Sequence, residues 1–199
     1  IRDMAPRENA AGTGITLAIM GSGNITDNSI DGNTAYNCTI GIQAKTMAGS
    51  AGSITGNSIS SNTVYDCPQA INIDQSGGAN NNNDILHNIT YNDSSGVGNE
   101  YGILLARCDN ISVLGNDIAF SSQAGLAIAG CDYTNVTGNT IHNNSHGIYT
   151  LFGSSYIYIY GNDIRDNGGV NTGLLLNSSN QIYVRCNNFK NNRCGILNM

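Results

Sequence analysis

Short runs of apolar residues return along the chain, and each ends at an asparagine that is followed two positions later by another apolar residue. Three clear copies are ISVLGNDI (111–118), NVTGNTI (135–141) and IYIYGNDI (157–164). Within each run apolar and polar residues alternate, which is the period of a half-buried β-strand and not of a helix. Because Gly and Asn tolerate the left-handed backbone of tight corners, the Gly-Asn pair marks the end of a strand.

The positions of these asparagines predict a repeat architecture. They recur at intervals of 29, 26, 33, 23, 23 and 25 residues. The first column is Asn28, Asn57, Asn83, Asn116, Asn139, Asn162 and Asn187, and the second, five positions later, is Asn33, Asn62, Asn88, Ser121, Asn144, Asn167 and Asn192. A third element is a Gly that opens an alternating apolar strand, as in GIQA (41–44) and GILL (102–105). A motif that returns at near-fixed intervals is typical of a solenoid.

We therefore predict an all-β fold, a right-handed parallel β-helix (solenoid) of about seven to eight coils with three short strands per coil. Equivalent residues of successive coils then lie about 4.8 Å apart, so that like side chains form ladders. Inward Ile, Val and Leu form the core, and the Asn columns hydrogen-bond along the stack at the corners. Residues 1–199 form a single domain, and since CGILNM (194–199) stops without a polar cap, we expect a portion of a larger secreted protein.

Four of the six cysteines fall into the same register. Cys38 and Cys67 each lie three residues before a Gly/Ala strand, whereas Cys108 and Cys131 each follow one. Stacking in neighbouring coils brings the members of each pair close enough for a disulfide. Inward free thiols that fill small corners fit the pattern equally well. No Cys-x-x-Cys spacing indicates a zinc site.

The composition excludes several functions. Charged residues make up 11% of the chain and its net charge is −6, whereas nucleic-acid binding requires a basic stripe. No run of 18 apolar residues is present, so we expect no membrane insertion. About thirty asparagines include eight Asn-x-Ser/Thr sequons, which are compatible with an extracellular or cell-surface location. No metal site and no certain cofactor is predicted, and a role for Ca²⁺ is left open.

The outward side chains of the Gly-Ile strands form a candidate substrate cleft. A His–Tyr pair can supply base and acid for proton abstraction beside a carboxylate that Arg107 or Lys45 neutralises. Hydrolysis would instead use two carboxylates across the strip, drawn from Asp66, Asp74, Asp93 and Glu100. The predicted catalytic residues are His146, Tyr149, Arg107, Asp74 and Glu100, although solvated surface groups without a role are the alternative for each.

Two further surfaces could contact a ligand. The longest connection, YNDSSGVGNEYG (91–102), is predicted to overhang the polar strip, because long loops on rigid scaffolds carry function; a solvated insertion is the alternative. Tyrosines collect on the strand before Gly-Asn, where they could stack on sugars or anchor a protein interface: Tyr133, Tyr156, Tyr158, Tyr160 and Tyr183. The predicted substrate-binding residues are Lys45, Asn72, Tyr91, Tyr101, Tyr158 and Tyr160.

The later coils point apolar side chains outward. Leu104, Leu175 and Leu197 fall in one outward column. Contiguous apolar side chains on a surface indicate an interaction site. We therefore predict a contact with another domain or subunit through these residues and the tyrosine patch.

The pattern N-x-I-x-x-N followed by G-I-x-L resembles the parallel β-helix repeats of carbohydrate-binding proteins, sugar hydrolases and lyases. More narrowly, the opening RENAAGTGITLAI (7–19) and the length of the unit resemble the disaggregatase-related domain of methanogenic archaea. That resemblance implies an exported or cell-surface enzyme that depolymerises methanochondroitin, a uronate- and galactosamine-containing matrix polysaccharide, and so disperses cell aggregates. No catalytic motif of that family is matched, so lyase and hydrolase both stay open.

A non-catalytic function is the alternative. An adhesin or a structural rod that binds polysaccharide would share the same ladders and would need no clustered polar strip. The signatures of polygalacturonase, pectin esterase and mannuronan epimerase are not found in the sequence.

Overall fold

The computed structural model describes residues 12–93, 98–168 and 172–199, and within these ranges every regular element is a β-strand. The first three coils contain β1 (Thr13–Ile19), β2 (Ile25–Thr26), β3 (Ser29–Asp31), β4 (Thr34–Tyr36), β5 (Ile40–Thr46), β6 (Ser53–Thr55), β7 (Ser58–Ser60), β8 (Thr63–Tyr65), β9 (Gln69–Gln75), β10 (Ala79–Asn81), β11 (Asp84–Leu86) and β12 (Ile89–Tyr91). The later coils contain β13 (Tyr101–Ala106), β14 (Ser112–Leu114), β15 (Asp117–Ala119), β16 (Ala124–Ala129), β17 (Asn135–Thr137), β18 (Thr140–His142), β19 (His146–Leu151), β20 (Ser155–Tyr160), β21 (Asp163–Arg165), β22 (Thr172–Leu176), β23 (Asn180–Arg185), β24 (Asn188–Lys190) and β25 (Cys194–Asn198).

The strands stack in parallel into sheets that run along one axis. The long sheet has eight strands (β1, β5, β9, β13, β16, β19, β22, β25), and two sheets have seven: the middle sheet (β3, β7, β11, β14, β17, β20, β23) and the closing sheet (β4, β8, β12, β15, β18, β21, β24). The predicted right-handed parallel β-helix of about seven coils is confirmed. Nothing in the described ranges is a helix long and apolar enough to cross a membrane.

The number of strands per coil changes along the chain. Coils four to seven contain the three strands that the sequence predicts, but each of the first three contains a fourth. These extra strands, β2, β6 and β10, form a three-stranded short sheet. Beyond it the same side of the solenoid continues only as single bridges that join Asn81, Asp109, Asp132 and Ser155.

The core is built from one inward column per sheet. In the fifth coil Leu126, Val136 and Ile141 point inward from the long, middle and closing sheets, and none is exposed. The glycine near the start of the long strands, replaced by Ala70 in β9, belongs to this interior. A Cβ added at Gly102 would lie 2.5 Å from Cγ2 of Ile118, so only glycine fits between the long and closing sheets here.

The Gly-Asn pair forms the corner between the middle and closing sheets. Gly115, Gly138 and Gly161 have φ angles of 65°, 63° and 65°, a left-handed conformation that glycine adopts without strain. In the earlier coils the same corner is occupied by Ser61 and His87, whose φ angles are 54° and 53°. The role of His87 is therefore to form a corner.

The asparagine after this corner belongs to a continuous ladder. The backbone N–H and Nδ2 of Asn116 both donate to Oδ1 of Asn139 at 2.9 Å, and Asn139 donates in the same way to Asn162. Nδ2 of Asn139 also donates to the carbonyl of Val113 in the preceding coil at 2.9 Å. The predicted stacking of Asn116, Asn139 and Asn162 is thus confirmed, and these buried amides are fully hydrogen-bonded.

The predicted register was wrong between the third and fourth coils. Asn116 stacks on Asn88, whose backbone N–H donates to Oδ1 of Asn116 at 2.8 Å, and not on Asn83. The ladder is therefore Asn33, Asn62, Asn88, Asn116, Asn139, Asn162 and Asn187. Asn28, Asn57 and Asn83 form a separate, shorter ladder at the corner after the short sheet. Strand pairing explains the shift, since it places Ile85 beside Val113 in the core.

All six cysteines are free thiols. Cys108 and Cys131 lie in neighbouring coils, as the sequence predicts, with their Sγ atoms 3.4 Å apart. The backbone N–H of Cys38 donates to Sγ of Cys67 at 3.4 Å. Burial raises the pKa of Cys67 to about 12, which keeps this thiol protonated at neutral pH. The cysteine pattern allowed either disulfides or inward free thiols, and the structure has free thiols that fill corners.

We expect Asn139→Ala to lower the free energy of unfolding by roughly 3–5 kcal/mol, because it leaves the amide of Asn116 and the carbonyl of Val113 buried without partners. The exposed Asn135 on the adjoining strand provides the control. Asn135→Ala should change stability by less than about 0.5 kcal/mol. Chemical denaturation of the two variants compares them, and equal stability would contradict a stabilising ladder.

Thiol labelling of the native protein at about pH 8 should modify the exposed Cys186 first. Cys38, Cys67, Cys108 and Cys131 are buried and should react only after denaturation. Mass spectrometry of labelled peptides distinguishes the sites. Rapid native labelling of Cys108 or Cys131 would show that the coils open at this corner.

Candidate functional site

The outward side chains of the long sheet form the candidate site, and we call this surface the long face. Strand pairing confirms its two predicted columns. One contains Gln43, Asn72, Leu104, Ala127, Tyr149, Leu175 and Leu197, and the other contains Lys45, Asp74, Ala106, Ala129 and Leu151. Each step along a column is one coil, about 4.8 Å.

A charged cluster lies at one edge of the long face, at the carboxyl ends of the early strands. Arg107 forms an ion pair with Asp74, and its Nε donates to the carbonyl of Gln75 at 2.9 Å. Nζ of Lys45 lies 3.6 Å from the other carboxylate oxygen of Asp74. Asp74 is therefore held between two cations and is not free to act as an acid or base. The side chain of Arg107 is 60% exposed, so it can also receive an anionic ligand.

His146 and Tyr149 form a second cluster, at the amino ends of later strands. Their rings lie 5.6 Å apart. Nδ1 of His146 lies 3.1 Å from Oγ1 of Thr172 and accepts from the backbone N–H of Thr172 at 3.4 Å, which places the proton of the neutral ring on Nε2. The hydroxyl of Tyr149 accepts from Nδ2 of Asn177 at 3.3 Å.

Burial determines the protonation of this second cluster. Burial lowers the pKa of His146 below its ordinary value of 6.5, so its imidazole is neutral at pH 7. The pKa of Tyr101 is raised, first by burial and then by Glu100 and Tyr149. The structure thus groups Glu100 and Tyr149 around Tyr101, and Tyr149 also contacts His146.

The predicted catalytic constellation is not assembled, because Arg107 is remote from His146. Tyr101 and His146 lie in the same column, two coils apart, whereas Arg107 follows Tyr101 by six residues along the strand direction. Six residues of parallel strand span roughly 20 Å. Arg107 therefore cannot neutralise the carboxylate of a uronate while His146 removes the proton from the carbon beside that carboxylate.

The predicted pair of hydrolytic carboxylates is also separated. Asp74 pairs with Ala106, six residues beyond Glu100, so roughly 20 Å divides the two carboxylates, against the 5–10 Å that glycosidases use. Asp66 is buried, and its Oδ1 accepts the backbone N–H of Asp93 at 2.9 Å. No retaining or inverting pair forms between Asp74 and Glu100.

Several predicted binding residues lie elsewhere or are covered. Asn72 is 6% exposed and donates to the side chain of Gln69. Tyr91 lies on the closing sheet and does not reach the long face. Tyr158 and Tyr160 lie on the middle sheet, on the strand before Gly-Asn where the sequence predicts them. Lys45 and Tyr101 do lie on the long face. The loop residues 94–97 that were predicted to overhang it lie outside the described residues.

Tyr91 is the last ring of a stack that the sequence reasoning missed. Tyr36, Tyr65 and Tyr91 occupy successive coils, with 5.0 Å between neighbouring ring centroids. The signal was present in NTAYNC (33–38), NTVYDC (62–67) and NITYND (88–93), where a tyrosine follows each ladder asparagine by three residues. The stack covers the early coils of the closing sheet.

The apolar contact surface is smaller than predicted. Leu175 is 6% exposed and Leu104 is half-buried, so neighbouring side chains of this chain already cover them. Leu197 in the last coil is 40% exposed. A contact with another domain through these leucines stays a prediction.

The described part of the chain contains no cluster of side chains suited to metal binding. There, no three His, Cys, Asp or Glu side chains come together in a way that could hold a metal ion. A role for Ca²⁺ stays untested.

Residues 87–198, more than half of the chain, match the family described as the right handed beta helix region. The chain belongs to this right-handed β-helix family. Among solved structures, this β-helix is similar to the A-module of mannuronan C-5 epimerase AlgE4 from Azotobacter vinelandii (TM-score 0.57, 14% identity, 85% of this chain and 61% of that one). It is also similar to the enzymatically active domain of bacteriophage CBA120 tailspike protein 2 (TM-score 0.56, 14% identity, 94% and 38%).

At this low identity the likeness concerns the fold alone. The chain spans less than two thirds of either solved structure. No curated protein matches it.

We expect NMR titration to place the midpoint of His146 below 6.5. Because its pKa is depressed in the folded state, the unfolded chain takes up the proton more readily. The stability that His146 contributes is therefore present above pH 6.5 and is lost as the pH falls through the folded pKa. His146→Gln should lose less stability than the wild type over that interval, and a midpoint at or above 6.5 would contradict the burial of this ring.

Proposed function

We propose that this β-helix binds an acidic polysaccharide lengthwise along the long face. The observation that supports this is the exposed guanidinium of Arg107, held in place by Asp74 and the carbonyl of Gln75 at the edge of an unbroken eight-stranded sheet. Lys45 and Arg107 together exceed the single charge of Asp74, so the cluster keeps one net positive charge on a chain of net charge −6. That local excess suits a carboxylate on a sugar.

The dimensions of the long face suit a repetitive ligand. Eight strands make seven steps of about 4.8 Å, roughly 34 Å in all. The outward side chains of the face change from charged at Lys45 and Arg107, at the carboxyl ends of the early strands, to aromatic at Tyr149, in the column of Leu104 two coils later. Charged groups would fix a uronate, and tyrosine rings would contact the apolar side of a sugar.

The identity of the polymer is proposed from resemblance. The similar A-module belongs to an enzyme named for mannuronan, which supports a uronate polymer as ligand. Because the sequence resembles the disaggregatase-related domain, a uronate- and galactosamine-containing matrix polysaccharide is the first polymer to test. Such a ligand would place this β-helix at the cell surface or outside the cell.

Cleavage of that polymer is the second candidate function, and the contact between His146 and Tyr149 favours it. A neutral imidazole beside a tyrosine could act as base and acid in an elimination. The remote position of Arg107 and the engagement of Nδ1 by Thr172 both oppose it. We therefore propose binding as the primary function and depolymerisation, by lyase or hydrolase chemistry, as the alternative.

Binding is tested by affinity electrophoresis in gels that contain chondroitin, mannuronan or neutral dextran. The wild type should be retarded by the acidic polymers, and salt should weaken the effect. Arg107→Ala should weaken retardation by acidic polymers roughly tenfold, the equivalent of about 1.4 kcal/mol. The melting temperature should hardly change, because exposed ion pairs add less than about 1 kcal/mol.

Arg165→Ala is the matched control, since Arg165 is ion-paired with Asp163 and Asp166 on the closing sheet. It should leave binding unchanged, and equal retardation of wild type and Arg107→Ala would reject the proposed face. The same incubations decide the second candidate. A rise in absorbance near 232 nm with new reducing ends means elimination, reducing ends alone mean hydrolysis, and neither supports binding alone.

A further inference from the structure

Five tyrosines cover the middle sheet in the later coils, on a different side of the solenoid from the long face. We call them the tyrosine platform: Tyr133, Tyr156, Tyr158, Tyr160 and Tyr183. Four of the five are among the most exposed large side chains, between 41% and 52%. Aromatic rings that neither enter a core nor pair across an interface have free surface for a ligand.

The platform has a stepped geometry. Tyr133 stacks on Tyr156 with ring centroids 4.8 Å apart, and Tyr158 stacks on Tyr183 at the same distance, one coil further along. Tyr160 stacks on no described ring, and its strand partner in the next coil is Arg185. Tyr158 and Tyr160 have Asn135 and Thr137 as their strand partners in the preceding coil, small side chains that leave the two tyrosines 43% and 52% exposed.

Two of these tyrosines have a left-handed backbone conformation, which tyrosine seldom adopts. Tyr133 and Tyr156 have φ angles of 54° and 55°, and the same corner in earlier coils is Asn82 and Asn110, at 54° and 53°. Asparagine enters the left-handed region readily, whereas a bulky ring is strained there. Left-handed residues also form other corners of this solenoid, with Phe120 and Phe152 at 58° and 57°, so these angles place the two rings at a corner and do not by themselves mark a function.

The surroundings of the rings are polar and include one cation, Arg185. None of the five hydroxyl groups forms a hydrogen bond with another described residue, and Arg185 has no ion-pair partner in the described ranges. The carboxylate of Asp132, near the platform, accepts the backbone N–H of Ser155 at 3.0 Å. Exposed rings, free hydroxyls and one unpaired cation match a sugar that bears a negative charge.

The size of the platform disfavours a stable protein partner. Tyr156 to Tyr160 spans four residues, about 13 Å, and three coils span about 10 Å, a footprint of roughly 130 Å². A stable protein interface buries about 800 Å² on each side. A few sugar units need far less.

We propose that the tyrosine platform is a second carbohydrate-binding site, which stacks sugar rings on Tyr158 and Tyr160 and binds a carboxylate through Arg185. The ligand class rests on the proposed function, but the site is separate from the long face. Two sites on different sides of one rod would allow it to hold two polymer strands at once.

The test compares platform and long-face variants in gels that contain mannuronan or dextran. The double variant Tyr158→Ala/Tyr160→Ala should weaken mannuronan retardation about tenfold, and Tyr158→Phe/Tyr160→Phe should keep most of it, because the rings remain. Arg185→Ala should weaken retardation by mannuronan, and neutral dextran should retard neither this variant nor the wild type. Phe152→Ala, which removes an aromatic ring that is 77% exposed and lies off the platform, should behave as wild type.

Each outcome decides between the sites. Loss in the Ala platform variant with retention in the Phe variant supports the inference. If only Arg107→Ala loses retardation by mannuronan, the proposed function is supported and the inference is overturned. If only the Ala platform variant loses it, the inference is supported and binding along the long face is rejected. Sedimentation of the wild type as a dimer that Tyr158→Ala/Tyr160→Ala dissociates would overturn the inference in favour of a protein interface.

Discussion

The hydrogen bond between an asparagine of one coil and the asparagine of the next is the constraint on which the molecule depends. Asn62, Asn88, Asn116, Asn139 and Asn162 are at most 2% exposed, and a buried amide without partners is unfavourable by several kcal/mol. No coil can satisfy its own corner, because the acceptor of Asn116 is Oδ1 of Asn139 and the acceptor of Asn139 is Oδ1 of Asn162. A coil is therefore stable only in register with its neighbours, and register fixes every outward column.

Sequence reasoning predicted the solenoid because the apolar and asparagine columns repeat, but it misplaced one register. Each early coil contains two equivalent-looking asparagines five residues apart, such as Asn83 and Asn88, and local pattern cannot decide which of them precedes Asn116. Burial decides it, since the pairing of Ile85 with Val113 keeps the core continuous. One signal was available, because stacking Asn116 on Asn88 needs an interval of 28 residues in place of the outlying 33.

Only part of the candidate site could be predicted from the sequence, and the reason is geometrical. Alternation along a strand determines which face a residue occupies, so the column that joins Asn72, Leu104 and Tyr149 was correct. Alternation says nothing about how far apart two outward residues lie along the strand. Arg107 and His146 share the long face but lie near opposite ends of its strands. Partners across coils, such as Thr172 for His146 and Gln69 for Asn72, follow only from register and from side-chain conformation.

A rod whose coils lie at a constant spacing can bind a repetitive polymer without a deep pocket. In a chain of net charge −6, long-range attraction for an acidic polymer is absent, so affinity must come from short-range contacts at exposed cations. Arg107 is one such cation on the long face and Arg185 is another beside the tyrosine platform. Each contact is weak alone, but contacts that lie on one rigid body bind the same chain of sugars in succession, and each raises the effective concentration for the next. The ladder that stabilises the core thus also sets the spacing at which such contacts can add.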